Sequence, residues 1–159
     1  MPDNAGRWSM AMGEWMSGGC QCGRVRYEAE IEGDEAYLCH CRMCQRATGN
    51  VSIAFRNVPR AAVRWTTVEP DRYASSPIAR RGYCAQCGTP LSFEFVEGGN
   101  MDLTVGSFDD PSRFRPVHHF GAESMHGAWL DTGGLKRIRS DEHPGLVERW
   151  VQATGAMPQ

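Results

Sequence analysis

Ser17-Gly18-Gly19-Cys20-Gln21-Cys22-Gly23-Arg24-Val25-Arg26-Tyr27-Glu28-Ala29-Glu30-Ile31 joins a pair of thiols to a strand in one stretch. Val25, Tyr27, Ala29 and Ile31 alternate with Arg24, Arg26, Glu28 and Glu30, the period-two pattern of a strand with one buried face. Outward from it, strands are expected at 51–55, 64–68, 91–96 and 101–105, each rich in β-branched or aromatic residues and bounded by turn formers. Gly98-Gly99-Asn100 suits a hairpin connection, and Asp109-Asp110-Pro111-Ser112 suits a turn. Short helices are expected at 43–48, stopped by Gly49, and at 144–153. The fold class read from this pattern is mainly β with antiparallel pairing.

Composition narrows the possibilities. A chain of 159 residues with 41% hydrophobic and 23% charged content supports one domain with short tails. A formal net charge of -2, from 17 basic and 19 acidic residues, gives no bulk attraction to nucleic acid or anionic lipid. Apolar runs such as Ile53-Ala54-Phe55 are far shorter than the roughly 20 residues that cross a bilayer. Residues 1–17 lack the basic start and apolar middle of a secretory signal, so a cytoplasmic location is expected. Residues 1–16 read as a disordered tail, or as a start truly at Met10, Met12 or Met16. The folded domain is expected over 17–135, with a C-terminal extension over 136–159 that carries a short helix.

Seven cysteines, an odd number in such a chain, argue for metal or thiol chemistry rather than a disulfide framework. They fall in three clusters: Cys20 and Cys22, then Cys39-His40-Cys41-Arg42-Met43-Cys44, then Cys84-Ala85-Gln86-Cys87-Gly88. Two pairs complete the four-thiolate shell of a structural zinc, which contributes folding energy of about 10 kcal/mol. Cys39, Cys41 and Cys44 then stand one ligand short of a closed tetrahedron, and an open position is what catalytic zinc requires. A thiol substrate suits so soft a site. Two alternatives stay open: His40, His118, His119 or His126 closes the second shell, or Cys20 and Cys22 join the middle cluster instead. The deaminase, zincin-protease and paired-finger patterns are absent, and Cys84-x-x-Cys87 lacks the βαβ context of a disulfide oxidoreductase.

The order and spacing resemble the family of glutathione-dependent formaldehyde-activating enzymes, which shares its domain with centromere protein V. The resemblance runs from Gly18-Gly19-Cys20-x-Cys22-Gly23 through Cys39-His40-Cys41-x-x-Cys44 and Cys84-x-x-Cys87-Gly88-Thr89 to Gly106-Ser107-Phe108-Asp109-Asp110-Pro111, Pro116-x-x-His119 and Trp129. It also takes in Tyr73-x-Ser75-Ser76, Arg80 and Arg81. Tyr83 stands where members commonly have Phe. The resemblance implies an Mss4-like (β-tent) fold of antiparallel sheets with two zincs per chain. Cys20, Cys22, Cys84 and Cys87 would hold the structural ion, and Cys39, Cys41 and Cys44 the catalytic one.

The activity so implied is that of a carbon–sulfur lyase adding glutathione to formaldehyde, with S-(hydroxymethyl)glutathione as product. His40, His119 or water would serve the developing alkoxide, and Arg24, Arg42, Arg46, Arg80 or Arg81 the two carboxylates of glutathione. Any single one of these arginines reads as solvated surface before substrate partner, and Phe55, Trp65 and Trp129 read as core rather than substrate wall. Two other functions fit the same residues: a related lyase acting on another small thiol or aldehyde, and a non-enzymatic zinc-stabilised interaction module.

Overall fold

Strand β2 (Arg26–Ile31) carries the expected alternation into the centre of the molecule, where Val25, Tyr27, Ala29 and Ile31 are all but inaccessible. It is flanked by β1 (Glu14–Gly19) and β5 (Val63–Trp65) in a three-stranded antiparallel sheet of order β1-β2-β5. Tyr27 meets Trp65 and Phe108 edge-on, at 5.6 and 5.5 Å between ring centres. Its hydroxyl lies 2.8 Å from Ser107 Oγ, so the one polar atom of this buried ring is satisfied.

A second sheet supplies the facing layer. In chain order its strands are β3 (Glu35–Cys39), β4 (Ile53–Pro59), β6 (Asp71–Ser76), β7 (Ala79–Tyr83), β8 (Pro90–Phe95), β9 (Asn100–Thr104) and β10 (Arg115–Phe120). Their spatial order is β10-β3-β4-β9-β8-β7-β6. Val58, Leu91, Met101 and Leu103 from this sheet join the β2 side chains in one apolar core, with Phe108 and Phe114. The protein is mainly β, as its period-two segments require, with two short helices: α1 (Arg42–Thr48) and α2 (Pro144–Thr154).

The computed structural model describes residues 13–131, 133–136 and 138–156. The chain divides into two units, Met1–Met125 and His126–Gln159. The second holds α2, with Pro144 in its first turn, the His143 side chain accepting from Leu146 N at 3.3 Å, and Gly155 ending it. Among the described residues no helix is long and apolar enough to cross a membrane.

Three features differ from expectation. Glu14, Trp15 and Met16 belong to β1 and pair with Ile31, Glu30 and Ala29, so the stretch expected as a tail is ordered strand from Glu14; residues 1–12 lie outside the described residues. The partner strand supplies the order that the segment's own periodicity lacks, and the Arg64 guanidinium lies 3.6 Å over the Trp15 ring. The large sheet is mixed rather than wholly antiparallel, because β10 runs parallel to β3. Strands β3, β6, β7 and β10 are additions to the strands expected from sequence.

Candidate functional site

Cys20 and Cys22 stand at the turn between β1 and β2, and Cys84 and Cys87 at the turn between β7 and β8. The structure brings these four together, with all sulfurs within 4.8 Å of one another. The Cys20–Cys22 and Cys22–Cys84 sulfur separations are 3.5 and 3.7 Å. Backbone and hydroxyl donors surround them. Val25 N–H points to Cys20 Sγ at 3.2 Å, and the Thr89 hydroxyl sits 3.2 Å from Cys87 Sγ, pulling that thiol well below its usual range. Thr89 Oγ1 also accepts from Gln21 N at 3.1 Å, tying one cysteine turn to the other. Gly88, with φ of +78°, lets its N–H turn back to the Cys84 carbonyl at 2.7 Å. Four sulfurs in one compact set fit a closed tetrahedral site for a soft divalent cation.

Cys39, Cys41 and Cys44 form a separate set with sulfurs within 4.8 Å, at the end of β3 and the start of α1. No histidine nitrogen joins it among the described residues. Cys41 caps α1, its sulfur accepting from Cys44 N at 3.4 Å. The Cys44 thiol is lowered by its hydrogen bond with Cys39 and by the Arg81 guanidinium, against the opposing effect of burial; Cys39 is raised in consequence.

The segment after β10 clasps this loop. His40 N–H donates to the Phe120 carbonyl at 2.8 Å, and His40 Nε2 lies 2.9 Å from His119 Nδ1. Gln45 is buried and its amide reaches the carbonyls of His40, Val51 and Ser124 at 2.8, 3.1 and 3.0 Å, while its own oxygen accepts from Arg42. Gly121 sits against the Cys41 backbone with φ of +65°, where a Cβ would lie 2.7 Å from Cys41 N.

A cavity of about 480 Å³ opens on the three sulfurs. Its wall includes Tyr37, Met43, Phe55, Phe93, Phe95 and Phe120, with Arg81, Asn57, Asp102 and His118 as the polar groups. Phe55 is therefore both buried and part of the cavity wall, which corrects its reading as core alone. Trp65 is core against Tyr27, and Trp129 is an exposed residue of the second unit.

The arginines separate just as clearly. Arg24 pairs with Asp71 at 2.9 Å and Arg42 with Gln45, whereas Arg81 is buried, with Nη2 at 3.2 Å from Cys44 Sγ and its Nε without a hydrogen-bond partner. Arg81 is thus no solvated surface group: it faces the cavity from an interior strand.

Fold and site together define a mainly β protein with two cysteine clusters whose sulfurs could each hold a metal ion, one of them at a cavity. Residues 15–124 match the family described as glutathione-dependent formaldehyde-activating enzyme, and the chain belongs to that family. An uncharacterised lyase of Schizosaccharomyces pombe is 32% identical over 83 residues, which are 52% of this chain and 60% of that relative. The crystal structure of a Rhodobacter sphaeroides protein, a structural-genomics target, superposes with a TM-score of 0.54 at 20% identity, covering 65% of this chain and 99% of that one. The latter is a likeness of fold.

Proposed function

We propose that the protein is a zinc-dependent carbon–sulfur lyase that joins the thiol of glutathione to formaldehyde, giving S-(hydroxymethyl)glutathione, and that it works in the cytoplasm. The observation that carries this reading is that the three-sulfur cluster, and not the four-sulfur one, lies in the wall of the 480 Å³ cavity. Cys20, Cys22, Cys84 and Cys87 would hold a structural zinc, and Cys39, Cys41 and Cys44 the ion at the reaction site. An ion held by Cys39, Cys41 and Cys44 would supply Lewis acidity and lower the pKa of a thiol at the open position.

The chain's own residues contribute the rest. Carbon–sulfur bond formation sends the carbonyl π pair to oxygen, which takes up a proton equal to the one the thiol gives up. Of the histidines named from sequence, His118 is the one on the cavity wall, stacked on Tyr37 at 5.1 Å, which favours it as proton donor. His40 and His119 hold each other instead. Arg81 adds a positive charge beside Cys44 that offsets the accumulation of thiolates. The family and the lyase-named relative support the reaction class. Seven free cysteines suit a reducing compartment.

Calorimetric titration of the zinc-loaded protein with reduced glutathione, against oxidised glutathione as a control without a thiol, tests the assignment. The reduced form alone should bind, and ¹³C exchange NMR should show faster adduct formation with formaldehyde at an unchanged equilibrium. A rate equal to that of buffer would overturn the enzymatic reading in favour of an interaction module.

A further inference from the structure

Four cavity residues lie in one line across the large sheet. Arg81 on β7 is opposite Phe93 on β8, Phe93 is opposite Asp102 on β9, and Asp102 is opposite Asn57 on β4. Directly opposed residues emerge on the same face, so the row is the floor of the cavity, with Arg81 and Asp102 two strand spacings apart, about 9.5 Å between backbones. The Arg81 guanidinium lies 4.9 Å over the Phe93 ring and is committed to Cys44 at one end of the row.

Asp102 lies beyond Phe93, only 7% exposed, and takes part in none of the ion pairs among the described residues. A buried carboxylate without a cation is costly, and a ligand that brings a cation to it would offset that cost. The neighbours define what that ligand must offer. Asn100 Nδ2 donates to Asn57 Oδ1 at 2.7 Å, which turns the Asn57 amide group toward Asp102 Oδ1 at 2.9 Å. Tyr37 stands beside Asp102 in the cavity wall, and its hydroxyl favours the charged form of that carboxyl. Asn57 donates to it, so Asp102 is set up as an acceptor, and a ligand donor carrying positive charge would complement it.

We propose that Asp102 is the specificity-determining residue of the cavity, accepting hydrogen bonds from a protonated amine on the thiol substrate, so that the site selects amino-bearing thiols. The proposal rests on the reading that the Cys39, Cys41 and Cys44 cluster receives the substrate sulfur. The thiol then lies at the cysteine end of the floor, the connecting atoms pass along Phe93, and the ammonium reaches Asp102. Peptide thiols with a free α-amino group several bonds from sulfur have this form.

The test compares reduced glutathione with the tripeptide in which its γ-glutamyl residue is replaced by glutaryl, so that the thiol and both carboxylates remain and the amine is gone. Each is titrated calorimetrically into zinc-loaded protein at pH 7, wild type and Asp102→Asn, with circular dichroism to verify folding of the variant. In the wild type, glutathione should bind about tenfold or more tightly than the deaminated tripeptide, as loss of a charge-assisted hydrogen bond to a buried carboxylate demands. Asp102→Asn should bring glutathione down to the affinity of the deaminated tripeptide. Equal wild-type affinities overturn amine selection and leave the thiol-accepting reading standing. A preference that persists in a folded Asp102→Asn variant removes Asp102 from the role. Failure of both thiols to bind overturns this proposal and the proposed function together. If the variant does not fold, the wild-type pair of ligands still decides whether the amine is recognised.

Discussion

Arg81 Nη2 donates to Cys44 Sγ at 3.2 Å while the guanidinium lies over Phe93, so a cation buried in a β-strand is fixed between a thiol and an aromatic ring. The contact places a positive charge against the second cysteine cluster. Groups that bond to metal-ligand atoms typically govern affinity or rate by 10–100-fold. Arg81→Met should lower zinc retention at that cluster and turnover by about that factor, and Arg81→Lys, which keeps the charge without the planar fork, should fall between. Metal content after dialysis against a weak chelator, followed by steady-state rates, checks both.

Removal of one sulfur from each cluster should give opposite results. Cys84 is fully buried within the main core, and its cluster ties the start of β2 to the β7–β8 turn. Cys84→Ser should lose cooperative folding, since structural zinc contributes about 10 kcal/mol or more of folding energy. Cys41→Ser should remain folded, lose one zinc equivalent and lose adduct-forming activity. Thermal melts with metal analysis separate the two, and retained turnover in folded Cys41→Ser would falsify the catalytic assignment.

Gly121 is the point where the chain after β10 presses on Cys41. Gly121→Ala combines a left-handed backbone with a Cβ 2.7 Å from Cys41 N, neither of which a flexible side chain can relieve. The expected cost is at least about 2 kcal/mol, seen as a lower denaturant midpoint together with weaker metal binding at the Cys39, Cys41 and Cys44 set. A midpoint equal to wild type would show that the β10 segment does not support the loop.

The Asp102 carboxyl is raised above its ordinary value by burial, which outweighs the hydrogen bond from Asn57 and the opposing effect of the Tyr37 hydroxyl. A carboxyl raised in the fold destabilises it as pH climbs from the unfolded value, about 3.9, through the higher folded value. Asp102→Asn removes that penalty. Without ligand, the variant should melt at higher temperature than wild type at pH 7, with the gain disappearing below about pH 4. Melts of both proteins across that range check the sign, and a variant less stable at pH 7 would contradict it.

Much of the framework was legible where side-chain chemistry and backbone preference agree. The β2 alternation, the strands near 53–55, 91–95 and 101–104, and α1 with its stop at Gly49 all follow their local signals. Strand β7, Ala79–Tyr83, offers no such signal: alanine and glycine are depleted in strands, two adjacent arginines give no apolar alternation, and only pairing with β6 and β8 makes them one. Arg81 was hidden for that reason, its burial being a property of neighbours distant in sequence. Asp102 was hidden differently. It lies inside a strand whose sequence was read correctly, but a lone aspartate in Met101-Asp102-Leu103 does not reveal which face it takes or that Phe93 and Asn57 stand beside it. The three cysteines could be grouped from spacing, but not the cavity, because its walls come from β3, β4, β7, β8, β9 and β10.

The two cysteine clusters also differ in when they can exist. Cys39, Cys41 and Cys44 occupy a single loop, whereas Cys22 and Cys84 are 62 positions apart. Bringing the distant pair together costs about 3.7 kcal/mol in the length-dependent part of loop-closure entropy, against about 1.4 kcal/mol for a five-residue loop. As the chain is synthesised, the local trio is complete long before the second half of the distant set emerges. The three-sulfur set is therefore available within one short segment, whereas the four-sulfur set forms only as its two distant turns come together. Under the proposed function, the order of synthesis and folding would thus have the cluster at the cavity take its ion before the four-sulfur cluster is assembled.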